Sequence, residues 1–306
     1  MIALPDGGAL LGAAEGGRPG ICAALNAPAP SPRYSRKRRR VCRCISHRPL
    51  IFYPVMMAAE EYLTKITGIV STIRQSQKEK IEAAGAAFAK SIESGGRVYL
   101  FGSGHSVIPV LDIFPRYGSF IGFLPIYDPR LMWSNVVGPG GARELLWLER
   151  REGYAAVVLE SYQLEARDAL LVFSHGGLNA APIEMALECK KKGLTVVSVS
   201  SHQNWRQAKA THSSGKALAD ASDIAIDNCV PPEDALVSME GIAERFAAGS
   251  TVAAVSIAMA LVAETGARLV ERGKKPPTFV SPNVGLPADH NQEVFRAYER
   301  FVRGRS

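Results

Sequence analysis

The stretch that most constrains this 306-residue chain is Arg97-Val-Tyr-Leu-Phe-Gly-Ser-Gly-His-Ser106, an apolar run that ends abruptly in glycines and small polar residues. Val98, Tyr99, Leu100 and Phe101 make an unbroken row of β-favouring side chains, the pattern of a parallel strand covered on both faces. Gly102 and Gly104 then let the backbone turn sharply and approach a ligand, while Ser103, His105 and Ser106 place hydrogen-bonding groups at the mouth of the next helix. Such a strand end suits an anion. A dinucleotide fingerprint is the obvious rival. Its third glycine position is Val107 here, however, and no acidic residue stands about twenty positions on at the end of a clear second strand.

A second strand repeats the design. Ala169-Leu-Leu-Val-Phe173 ends in Ser174-His-Gly-Gly-Leu-Asn179, and the helix after it is well punctuated. Pro182 suits its first turn, Glu184 complements its positive start, Lys190 to Lys192 complement its end, and Gly193 stops it. Leu194 to Val199 is a further apolar strand, closing in Ser200-Ser201-His202. Helix-bearing crossovers between apolar strands predict an α/β fold, a three-layer sandwich with a mainly parallel sheet whose ligands bind at the carboxyl ends of the strands.

The flanks are helical. Leu63, Ile66, Val70 and Ile73, then Ile81, Ala84, Phe88 and Ile92, predict one amphipathic helix over 60–93, or two with a break near Ser76. Further helices are expected over 107–114, 145–151, 217–221 and 241–272, strands over 123–127 and 224–226, and a last helix with Val294, Tyr298 and Phe301 on one stripe. The run Val252 to Ala263 is apolar nearly all round, but it carries Ser256 and falls short of the roughly 20 residues that span a bilayer. It reads as a buried or subunit-interface helix, and no membrane segment is expected.

The net charge of +7 is not spread along the chain, because residues 1–56 hold nine basic side chains against two acidic ones, and the remainder is balanced. Residues 1–55 lack helical or strand periodicity and carry Arg36-Lys-Arg-Arg-Arg40, so they read as a disordered basic extension, with Met56 or Met57 as the real start. Residues 56–306 then form one domain. Its neutrality argues against nucleic acid as a partner. Of five cysteines, Cys22, Cys42 and Cys44 lie in the extension, while Cys189 and Cys229 are isolated, which suits a reducing cytoplasm. Cys42-x-Cys44 with His47 lacks a second ligand pair, so no metal site is expected.

Two glycine-bearing loops converging on one crevice suit a phosphate monoester held without a metal. In these loops the chain resembles the sugar isomerase (SIS) domain family. The family's first loop, Gly-Ser-Gly-x-Ser, is complete at Gly102, Ser103, Gly104 and Ser106. Its second, Ser-x-Ser-Gly-x-Thr, keeps Ser174 and Gly177 but has Gly176 for the middle Ser and Asn179 for the Thr; the amide of Asn179 still donates. The stretches Ser174 to Lys192, His212-Ser-Ser-Gly-Lys216, Asp227-Asn228, Pro282-Asn283 and Asp289-His-Asn291 resemble a stand-alone subgroup of that family, over roughly Met57 to Arg303. Val110-Leu-Asp112 is similar to the N-acetylmuramic acid 6-phosphate etherases. Ile113, Phe114 and Pro115 stand where those enzymes carry an acidic residue, which disfavours an etherase.

The resemblance implies a phosphorylated sugar as ligand, a metal-independent aldose–ketose isomerase without cofactor, and a homodimer or higher oligomer through the long helices. A non-catalytic phosphosugar sensor is the alternative, with a sugar phosphate lyase or etherase behind it. The expected phosphate cradle is Gly102, Ser103, Gly104, Ser106, Ser174, His175, Gly176, Gly177 and Asn179. Isomerisation needs a base that moves a proton between neighbouring carbons, and often a second group to open the ring. Glu149, Glu184, His105 and His290 are the candidates. Glu149 lies among Arg150, Arg151 and Glu152, which reads first as a solvated charged face. Glu184 has its helix start to complement. For His290 the resemblance implies reach into an active site, sometimes a neighbouring subunit's; the plain reading is a helix-start cluster with Asp289 as cap.

Overall fold

Five short strands carry the fold, and their alternating side chains divide its core in two. The computed structural model describes residues 55–132, 135–287 and 289–304, so the expectation for residues 1–55 falls almost wholly outside the described residues. Helices α1 (Val55–Ser76) and α2 (Lys78–Glu93) lead to β1 (Val98–Gly102), a one-turn 3-10 segment at Gly104–Ser106 and α3 (Val107–Ile113). Then follow β2 (Ser119–Phe120), β3 (Phe123–Pro125), α4 (Ala142–Leu148), α5 (Tyr154–Leu159), β4 (Ala169–Phe173), α6 (Ala180–Lys191), β5 (Thr195–Ser200), α7 (His202–Gln207) and β6 (Ile224–Asp227). The hairpin β7 (Ala235–Val237) and β8 (Phe246–Ala248), helix α8 (Ser250–Glu271), β9 (Thr278–Phe279) and α9 (His290–Arg303) complete the order.

The sheet order is β3-β1-β4-β5-β6, parallel throughout, with Gly102 opposite Phe173 and Phe173 opposite Val199. Successive residues of a strand point to opposite faces. Val98, Leu100, Leu171, Phe173, Val197 and Val199 therefore pack with α2, α3 and α8, whereas Tyr99, Phe101, Leu170, Val172 and Val196 pack with α4, α5 and α6. This is the expected three-layer α/β sandwich. The chain leaves β1 toward one face, through α3, and leaves β4 toward the other, through α6. Between these two strand ends the direction of winding reverses, and the crevice that opens there is where such sheets bind ligands.

Three local expectations are corrected. The helix expected over 145–151 ends at Leu148, so Glu149 lies beyond it, and α5 follows as an unforeseen helix. Residues 217–221 make turns, with Asp220 and Ser222 amides donating to the carbonyls three residues back; five residues are too few to nucleate a helix alone. The chain instead makes α7 directly after β5. The helix expected over 241–272 starts only at Ser250, because 235–248 pair as a hairpin, and the Asp234 carboxylate accepts the Gly249 amide (3.1 Å), the Ser250 amide (2.7 Å) and the Ser250 hydroxyl (2.6 Å). A carboxylate on those amides is a strong start signal.

Helix α8 is long and apolar enough by length and composition to cross a membrane. Its Ala253, Ile257, Ala258 and Leu261 side is buried in the core shared with α2 and α3. The contact with α2 is close: a Cβ on Gly85 would lie 2.4 Å from Cγ of Glu264.

Candidate functional site

The loop after β1 folds back over its own strand end. A Cβ on Gly102 would stand 2.1 Å from the Ser106 carbonyl oxygen, Gly104 has φ +59°, and the Ser106 amide donates to the Ser103 carbonyl at 3.1 Å. Only glycine fits such an approach. Ser106 caps α3 by position but makes no side-chain cap bond, so the hydroxyl is not consumed by its own helix. In the loop after β4 the Ser174 hydroxyl accepts the Gly177 amide at 3.2 Å, and Gly177 has φ +63°. The carbonyls of His175, Gly176, Gly177 and Leu178 accept, respectively, the Ser201 amide, the Asn204 side chain, the Leu218 amide and the Thr211 amide. Four carbonyls of this loop are thus engaged by the 201–218 segment, which fixes the loop's shape. Asn179 stands at the start of the twelve-residue α6 without a side-chain cap bond. The helix presents its positive end to the crevice.

The decisive residue is Glu149. It is only 7% exposed, and its Oε2 accepts the Ser103 hydroxyl at 2.9 Å, while its carbonyl accepts the Ala181 amide at 2.9 Å from the first turn of α6. The solvated charged face suggested by its neighbours is therefore corrected: Glu149 turns inward and bridges the two loops. Burial pushes its carboxyl up from the ordinary 4.5, opposed by the Ser103 hydrogen bond and the Arg150 charge. The whole turn 149–155 is tied down. Glu152 accepts the Ser213 amide and hydroxyl, both at 2.6 Å, and these bonds hold its carboxyl below the ordinary range. Tyr154 donates to Asp128 just past β3. Glu184, expected to serve its own helix, accepts instead the amides of Gly153 (2.6 Å) and Ala155 (2.9 Å) at the start of α5.

A profile of the SIS domain matches residues 61–201, which hold both loops and Glu149. A UPF0309 protein of Halalkalibacterium halodurans is 34% identical over 241 residues, 79% of this chain and 94% of that protein. One of Streptomyces coelicolor is 33% identical over 242 residues, covering 78% and 94%. The chain belongs to the SIS domain family. Among solved structures, a phosphoheptose isomerase from Francisella tularensis superposes with a TM-score of 0.46 at 15% identity, covering 69% of this chain and 98% of that one.

Within this SIS domain the other candidates are distributed unevenly. His105 is exposed at the mouth of the first loop. His175 is engaged at both ring nitrogens. The Asn228 amide, whose own Oδ1 accepts the Val230 amide, donates to Nδ1 at 3.1 Å, which leaves the proton on Nε2 facing the Pro232 carbonyl at 3.3 Å. His290 stands elsewhere. Its Nε2 bonds the Thr278 carbonyl at 3.0 Å, Thr278 pairs with Phe120, and Phe120 runs into the amino end of β3. His290 is therefore at the end of the sheet opposite the loops of its own chain. Asp289 makes no side-chain cap bond; Asn291 instead clasps both the amide and the carbonyl of Val280.

The crevice also holds residues outside the expected cradle and the candidate bases. Asn228, Ser250 and Thr251 line it beside Ser106, Ser174 and His175. Ser250 and Thr251 open α8, and a helix start expected nine residues earlier hid them. An acidic residue does follow the second parallel strand, at Asp128, contrary to the expectation. Burial pushes its carboxyl up, but bonds from Arg130 and Tyr154 and the Arg130 charge outweigh that and hold it below the ordinary range. With its oxygens so occupied it is a poor partner for a ribose. Among the described residues no three His, Cys, Asp or Glu side chains gather as a metal site.

Proposed function

We propose that this SIS domain protein binds a phosphorylated sugar and interconverts its aldose and ketose forms, with Glu149 as the base. The observation that carries the reading is Glu149 itself: a buried carboxylate on Ser103 of the first loop, its backbone on the first turn of α6. Ser106, Ser174, Asn179 and the amides at Gly102–Gly104 and Gly176 form the phosphate cradle, which needs no metal to balance the charge, while the Gly177 amide holds the Ser174 hydroxyl in place. With the phosphate there, the carbon next to the open-chain carbonyl comes under Glu149. The carboxylate takes the proton from that carbon and the electron pair moves to the carbonyl oxygen, giving an enediolate; the hydroxyl proton of the first carbon passes to that oxygen, and Glu149 returns its own proton to the neighbouring carbon as a carbonyl forms on the first. Burial suits the task, since a carboxyl raised above its usual range is a stronger base. His105, at the mouth, is the group placed to assist ring opening.

A sensor needs the cradle but not a desolvated carboxylate beside it, which is why catalysis is preferred. Phosphorus NMR on the full chain with hexose, pentose and amino-sugar phosphates tests the reading. At least one member of the panel is expected to give a second sugar phosphate signal. Binding across the panel with no interconversion would make the protein a sensor.

A further inference from the structure

We infer that Glu184 is a positioning residue that fixes Glu149 in the crevice by holding the turn 149–155 to α6, an inference that rests on reading Glu149 as the base. Glu184 is 8% exposed and sits on the second turn of the helix whose start belongs to the proposed phosphate cradle. Its two oxygens reach different residues of one turn, Oε1 taking the Gly153 amide at 2.6 Å and Oε2 the Ala155 amide at 2.9 Å. One turn earlier on α6, the Ala181 amide donates to the Glu149 carbonyl at 2.9 Å. The helix thus grips the segment at both ends, at Glu149 and at 153–155.

A buried carboxylate is tolerated only where hydrogen bonds replace its water, and bonds from amides to an ionised acceptor are among the stronger kind. Both oxygens of Glu184 are already accepting, so this side chain is spoken for and does not compete with Glu149 for a substrate proton. The consequence is mechanical. Phosphate seat and base are carried by the same helix, so a sugar anchored by its phosphate meets the carboxylate at a fixed distance. Displacement of a reacting group by about 1 Å costs on the order of a hundredfold in rate. Glutamine at 184 keeps the volume but turns one acceptor into an NH2 group that faces an amide N–H, which is repulsive.

The test uses the full chain, with E184Q as the main variant and E184D, too short to reach both amides, as the second. Amide exchange is followed at Gly153 and Ala155, and the Glu149 carboxyl is titrated by carbon NMR, assigned through its loss in E149Q. In the wild type both amides are expected to be protected. In E184Q their protection falls while that of Leu170–Val172 persists, and Glu149 titrates closer to the ordinary 4.5, although Ser103 and Arg150, the other groups acting on it, are untouched. Affinity for inorganic phosphate stays unchanged, and turnover of whichever sugar phosphate is processed falls by about a hundredfold. Free exchange of both amides in the wild type, or identical Glu149 titration in the wild type and the variants, would overturn the inference. If the wild type turns over no sugar phosphate, the isomerase reading fails by itself, while exchange and titration still decide whether Glu184 positions Glu149.

Discussion

At the scale of single residues the account turns on a carboxylate kept out of water. E149Q is expected to cut kcat by about 10²- to 10⁴-fold, the usual worth of a general base, while leaving inorganic phosphate affinity intact. The acid limb of the kcat/KM profile should lie above 4.5, because burial raises the Glu149 carboxyl and the base works only when ionised. S103A removes a bond that stabilises the ionised form, so that limb moves to still higher pH; a limb that stays put would remove Ser103 from the account. Stability carries the opposite sign. A carboxyl raised in the folded state contributes stability at low pH that is lost as pH rises through the folded value. E149Q should therefore be more stable than the wild type to denaturant at neutral pH, with the difference vanishing in acid. Glu149 stood among the candidate bases in the sequence, but its burial was not legible there, because Arg150, Arg151 and Glu152 disguise it as surface. Its burial depends on where α4 stops and on how α6 receives the turn, and both are settled by tertiary packing. The loop residues, in contrast, were plain, since glycine at 102 and 104 beside small hydroxyls has few other uses after an apolar strand.

At the scale of elements, strands were readable because both faces are covered and the apolar runs are unbroken, as in Val98–Phe101 and Ala169–Phe173. Helix starts were less so. The sequence 241–249 contains good helix formers, but pairing of 246–248 with 235–237 overrides propensity, and Asp234 moves the start to Ser250. D234A should cost about 1 kcal/mol by equilibrium denaturation, within the range of lost helix caps, and should loosen Ser250 and Thr251 at the crevice. The first loop is less forgiving. G102A places a methyl group 2.1 Å from the Ser106 carbonyl oxygen, so the loop must open. A loss of about 1–3 kcal/mol is expected, as for an overpacked site, together with loss of phosphate binding measured by calorimetry. Unchanged binding in a folded G102A protein would remove this loop from the cradle.

For the whole molecule, a reversal of winding between β1 and β4 brings two loops and the start of α8 to one crevice, with Glu149 bonded to Ser103 of the first loop and to the Ala181 amide after the second, while α9 and the β2–β9 pair close the other end of the sheet. His290 belongs to that far end and has no part in the chemistry proposed for its own chain. A ligand that seats its phosphate in the crevice should stabilise the fold, by about 2.7 kcal/mol at a hundred times its dissociation constant. The most direct measurement of the central claim is deuterium incorporation at the carbon beside the carbonyl. Wild type and E149Q are incubated in deuterated water with a sugar phosphate that stabilises both proteins. The account predicts exchange with the wild type and none above background with E149Q. Equal exchange in the two proteins, or none in the wild type with any sugar phosphate it binds, would contradict it.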